Sequence, residues 1–150
     1  MKSTLATLLI AIFFGLALIH FYWACGGQWG FESTLPTDEH GIRLLNPKTL
    51  DSIIIGVALV LFGIFYWVTF ISKKDRFPYW LKTIGMWSIP ILFALRAMGD
   101  FKYIGFFKKI NSTEFANYDN LLYSPLCLTI AIIGFVLISK KQELTKNPGS

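Results

Sequence analysis

Four ionisable side chains stand at places where a largely apolar chain should carry none. Arg96 and Asp100 close the stretch Ala94-Leu95-Arg96-Ala97-Met98-Gly99-Asp100, Asp119 precedes a long apolar run, and His20 sits near the end of another. A charge at the edge of a bilayer is costly unless water, a partner or a ligand satisfies it, so chemistry is expected there. Arg96 suits an anionic group or developing negative charge. His20 suits acid or base work, tuned by Asp100 or Asp119. Plainer readings stand beside these: an ion pair of Arg96 with Asp100 or Asp119, an arginine reaching to headgroups, or an imidazole bonded to a neighbouring helix.

Aromatic and polar residues cluster around the same points. Trp23, Gln28 and Trp29 follow His20, Lys102 follows Asp100, and Tyr123 follows Asp119. The candidate ligand-binding set is therefore His20, Trp23, Gln28, Trp29, Arg96, Asp100, Lys102, Asp119 and Tyr123. No catalytic residue is assigned, with His20, Arg96, Asp100 and Asp119 as the candidates. No cofactor and no metal is expected. His40 beside Asp38 and Glu39 reads as a solvated turn, because no second cluster has ligand spacing. Cys25 and Cys127 lack a Cys-x-x-Cys arrangement. They read as buried apolar thiols, with a disulfide between them as the alternative in an oxidising compartment.

Such residues need elements to hold them, and the composition says which. Of 150 residues, 54% are hydrophobic, 17% aromatic and only 15% charged. A soluble domain carries about a quarter charged residues, so a membrane protein is indicated. A span needs about 20 largely apolar residues. Windows of that kind cover Thr4–Ala24, Leu50–Ile71, Tyr79–Met98 and Leu121–Ile138. The expected fold is an all-α membrane protein, a four-transmembrane-helix bundle over 1–139, with 140–150 as a disordered cytoplasmic tail. The formal charge of +5 comes from lysines flanking the spans, which favours anionic lipid headgroups over nucleic acid. Tyr22 and Trp23 before Cys25 are too bulky for signal-peptide cleavage, so the first span is retained. The turn Lys73-Lys74-Asp75-Arg76 and the Lys140-Lys141 exit place both termini in the cytoplasm.

The individual elements follow from their punctuation. Asn46 caps the second helix, Pro47 opens it and Asp51 complements its dipole, while Gly56 and Gly63 permit close packing. Pro90 predicts a kink in the third helix. Arg96 lies fourteen residues after Lys82, about 21 Å along the helix, hence in the outer leaflet. Tyr103, Phe106, Phe107 and Ile110 recur at helical spacing with Lys102, Lys108 and Lys109 opposite, which predicts a short interfacial helix in the second outer loop. Asp119 or Asn120 is expected to cap the fourth helix.

Three stretches also carry a resemblance. His20-Phe-Tyr-Trp-Ala-Cys-Gly-Gly-Gln-Trp-Gly30, Leu95-Arg-Ala-Met-Gly-Asp-Phe-Lys-Tyr-Ile-Gly-Phe-Phe-Lys108 and Phe115-Ala-Asn-Tyr-Asp119 through Tyr123-Ser-Pro-Leu-Cys127 resemble a family of small bacterial four-span proteins classed as a domain of unknown function. The resemblance covers nearly the whole chain. It implies a multi-pass protein of the bacterial cell membrane and supplies no activity. The functional expectation is a polar, aromatic pocket at the outer leaflet that binds a lipid, quinone or amphipathic small molecule. The alternatives are an intramembrane enzyme using His20 with Arg96 and Asp100 or Asp119, a structural or assembly subunit, and a small transporter. Four spans without a repeat would need a homo-oligomer for transport.

Overall fold

The computed structural model describes residues 2–72 and 77–146, which are helical apart from their connections. Helix α1 covers Lys2–Ala24, α2 Thr49–Phe70 and α3 Tyr79–Met98. The fourth long helix is composite: α4 (Glu114–Tyr118) passes through a widened π turn (Asp119–Tyr123) into α5 (Ser124–Lys146). Four helices of 20 to 27 residues are thus long and apolar enough to cross a membrane, which suggests a multi-pass membrane protein. At about 1.5 Å per residue even the shortest matches a hydrocarbon core of about 30 Å. The basic turn Lys73-Lys74-Asp75-Arg76 lies outside the described residues, as does 147–150 of the expected tail. Residues 140–146 continue α5.

Local chemistry sets the helix starts differently from the expectation at two points. Asn46 does not cap α2. The helix begins at Thr49, and Asp51 reaches back to accept the Lys48 N–H at 2.7 Å. Asp51 is thereby used up as a capping charge. At the fourth helix, Thr113 is the cap, its Oγ1 accepting the Ala116 N–H at 3.1 Å. Asp119 lies six residues further on, inside the helix.

Small residues let the helices approach. Phe21 of α1 lies over Gly56 of α2 and Phe14 over Gly63, where a Cβ would stand 2.8 and 3.2 Å from the ring. Gly85 receives Phe65, and Gly134 of α5 receives Pro90 of α3. Lipid is as apolar as leucine, so this close packing does in a bilayer what hydrophobic burial does in water. Helix α3 runs unbroken through Pro90, whose ring is fully buried in its notch. The interior is aromatic: Phe13 meets Phe62 and Tyr66 at 5.8 Å and Phe93 at 5.6 Å between ring centres. Each such pair adds about 0.5–1.5 kcal/mol beyond the area it buries. Leu18, Leu61 and Trp67 point outward and are at least half exposed, as lipid-facing side chains are.

The helices have two unlike ends. The Lys2 ammonium donates to the Lys140 carbonyl, so the start of α1 meets the far part of α5. The other end carries both long connections, and Arg96, Asp119 and His20 all lie toward it.

Candidate functional site

Helix α3 ends at Gly99 with φ of 84°, a conformation that side chains rarely adopt. The next residue, Asp100, organises the loop. Its Oδ1 accepts the N–H groups of Lys102 at 2.9 Å, Tyr103 at 2.7 Å and Ile104 at 2.9 Å. The Asp100 N–H donates to the Ile104 carbonyl at 3.2 Å, and the Phe106 N–H to the Ala97 carbonyl at 2.9 Å. Gly105, with φ of 87°, lies back to back with Gly99. A Cβ on Gly99 would sit 1.7 Å from the Ile104 oxygen, and one on Gly105 2.4 Å from that of Met98.

This loop replaces the expected interfacial helix, which is a correction: residues 101–113 are bends and turns. The aromatic spacing was compatible with a helix. The carboxylate of Asp100, however, offers the amides a nearer acceptor than a carbonyl one turn back, and that local bond prevails. Burial alone would raise the Asp100 pKa, but the amides of Ile104, Lys102 and Tyr103 outweigh it and hold the carboxyl below the ordinary value. Lys102 is exposed, its ammonium 4.9 Å from the Tyr103 ring centre. The neighbouring Tyr103, and at longer range Glu39 and Asp100, raise its pKa.

The folded loop delivers two donors to the fourth helix. Asp119 is fully buried. Its Oδ2 accepts the Gly105 N–H at 2.7 Å and the Lys108 ammonium at 2.9 Å, and its Oδ1 accepts Arg96 Nη2 at 3.1 Å. Lys108 is buried too and also donates to the Gly105 carbonyl at 3.0 Å and to Asn120 Oδ1. Its three protons therefore meet three acceptors. Arg96 is in a different condition. Its side chain keeps about a third of its exposure, while its Nη1 is buried with no hydrogen-bond partner. Two cations thus face one carboxylate.

The turn that carries Asp119 is unusual in itself. Residues Asp119–Tyr123 form a π turn closed by the Ser124 N–H to the Asp119 carbonyl. Pro125 comes next, lacking an N–H and crowding the carbonyl a turn back, and a widened turn accommodates both demands. Tyr123 points elsewhere. Its hydroxyl lies 3.2 Å from Ser33 Oγ, and its ring lies against Phe115 and Tyr118. It ties the first long connection to the fourth helix.

The remaining candidates form a second, separate knot. His20 donates Nδ1–H to the Leu16 carbonyl at 2.9 Å and sets its ring edge to Trp23 at 5.0 Å. Trp23 donates Nε1–H to the Trp29 carbonyl at 2.9 Å, and the Trp29 N–H reaches the Tyr22 hydroxyl at 3.4 Å. Gln28 is exposed and contributes its carbonyl to the Phe31 N–H at 3.1 Å. Among the described residues no hydrogen bond, ion pair or ring contact joins this knot to Arg96 or Asp119. A shallow apolar groove of about 320 Å³, lined by Leu18, Ile19, Tyr22 and Trp29, opens beside it. Both cysteines are free thiols. Cys25 is exposed rather than buried as expected, because it falls just past the last helical residue, and Cys127 is half-buried.

The structure thus unites Arg96 with Asp119 and builds Asp100 into the loop that serves them. It sets His20, Trp23 and Trp29 apart. Reading the sequence for charge at span ends missed Lys108, Gly105, Asn120 and Ser124. The signal available was the Gly99/Gly105 pair flanking Asp100, which marks a tight loop rather than a helix.

A family model described as Protein of unknown function (DUF3995) matches residues 13–134, and the chain belongs to that family. The matched stretch includes both the Arg96–Asp119 cluster and the His20 knot. No curated protein and no solved structure matches the chain.

Proposed function

For this member of the DUF3995 family, we propose binding of an amphipathic small molecule, a lipid or a quinone, at the end of the bundle that carries the long connections. Arg96 is the group that meets its polar head. The observation that carries this reading is the guanidinium Nη1, buried and without a partner beside a cluster that holds two cations to one carboxylate. A buried donor left open costs about 1–3 kcal/mol, more when charged, and a ligand acceptor would recover it. One turn along α3 from Arg96, the exposed Leu92 offers apolar surface to the body of such a molecule.

An enzyme using His20 as acid or base is the weaker reading. Its imidazole is engaged with its own helix and with Trp23, and no carboxylate contacts it among the described residues. Transport would require a homo-oligomer, and an assembly subunit would need a partner that brings an acceptor to the open guanidinium nitrogen. The proposed setting is a bacterial cell membrane with both termini cytoplasmic, the ligand being drawn from the outer leaflet.

The test is mass spectrometry of what co-purifies in mild detergent with wild type and with Arg96→Ala. Asp119 keeps Lys108 and the Gly105 amide in that variant, so the fold has its main contacts. A defined amphiphile on wild type and absent from the variant is the expected result. The same molecules on both would make Arg96 a packing charge.

A further inference from the structure

Resting on that binding reading, we infer that the head group taken at Arg96 is a monoanion, a phosphodiester or a carboxylate, and that Ser124 is its second donor. Ser124 has no exposed surface, and its Oγ is buried with no hydrogen-bond partner. Two unanswered buried donors, Arg96 Nη1 and Ser124 Oγ, therefore lie on elements that both touch Asp119.

The π turn sets Ser124 on the face of the fourth helix that carries Asp119, the residue Arg96 pairs with. Residues five apart on an α-helix point about 140° away from each other. A turn closed by an i to i+5 bond returns residue i+5 to the face of residue i, and here those residues are Asp119 and Ser124, both fully buried. Side chains on a helix lean toward its N-terminus, so the Ser124 hydroxyl leans toward the turn that holds Asp119. Arg96 reaches that carboxylate from α3 with one nitrogen and has the other to spare.

Charge sets the class of ligand. Arg96 and Lys108 against Asp119 leave one positive charge in excess, and Lys108 has no proton left to give. A single negative charge neutralises the cluster. A dianionic phosphomonoester would bring a second charge into a low-dielectric site, and a zwitterion would bring its own cation beside Arg96.

Tryptophan fluorescence titration of the full chain in mild detergent tests this with four probes: dioleoyl phosphatidylglycerol, oleate, dioleoyl phosphatidate and dioleoyl phosphatidylcholine. Phosphatidylglycerol, oleate or both are expected to bind at least tenfold more tightly than the other two, and the tighter of the pair names the source. Ser124→Ala is expected to weaken that binding about tenfold, the loss of one hydrogen bond to a charged group. Ser124→Thr, which keeps the hydroxyl, is expected to restore it. Equal binding of phosphatidylcholine, tighter binding of phosphatidate, or full affinity in Ser124→Ala each overturns the inference. A neutral amphiphile lost from Arg96→Ala in the co-purification would sink this inference alone. No amphiphile on wild type in either experiment would sink the binding reading itself.

Discussion

Asp119 has no solvent contact, and three donors from two other segments converge on its oxygens: Arg96 from α3, and Gly105 and Lys108 from the loop after it. Removing one partner of a buried ion pair leaves an uncompensated charge and costs about 3–5 kcal/mol, whereas removing both together costs far less. Asp119→Asn is therefore expected to destabilise the protein by about that amount, measured as thermal unfolding in detergent. Asp119→Asn with Lys108→Met should lie closer to wild type than Asp119→Asn alone. If the two losses simply add, the pair is not coupled and Asp119 is held by Arg96 instead. The sequence made Asp119 visible as a charge beside a span but not as a hub. Its partners lie 11, 14 and 23 residues away, and no short-range pattern encodes such a convergence.

The four long helices were legible because apolar length is a local property: the ranges Leu50–Ile71 and Tyr79–Met98 lie within a residue of α2 and α3, whereas Leu121–Ile138 is only the middle of a composite helix that starts at Glu114 and runs to Lys146. The loop from Gly99 to Ile110 was not, since its aromatics happen to recur at helical spacing while one carboxylate decides the backbone. That carboxylate makes the loop pH-dependent. The Asp100 pKa is lowered from its ordinary 3.8 in the folded protein. A group with a depressed folded pKa contributes stability that is complete above the unfolded value and is lost as pH falls through the folded one. Amide protection at Lys102, Tyr103 and Ile104 is therefore expected to hold at neutral and mildly acidic pH and to decline only below about 3.8. Pulsed hydrogen exchange with mass spectrometry reads this directly. Asp100→Asn keeps the acceptor oxygen without the charge, so its loop should show weaker protection at neutral pH and no such decline. A wild-type loop that loosens well above pH 4 would show that some other group controls it.

At the scale of the whole molecule the open question is which way the bundle faces. Lys2 touches the carbonyl of Lys140, so the start of α1 and the far part of α5 share one end and the long connections share the other. Lys140, one of the basic residues predicted to stay in the cytoplasm, lies at the first of these ends. Cys25 offers a reporter at the second, being exposed one residue past Ala24, while Cys127 is half-buried within the fourth helix. A membrane-impermeant maleimide applied to intact cells is expected to label wild type and Cys127→Ser and to spare Cys25→Ser. Labelling of Cys25 only after permeabilisation would turn the bundle over. Arg96 would then lie in the inner leaflet, where anionic headgroups concentrate, and the amphiphile would be drawn from the cytoplasmic side without any change in the cluster that holds it.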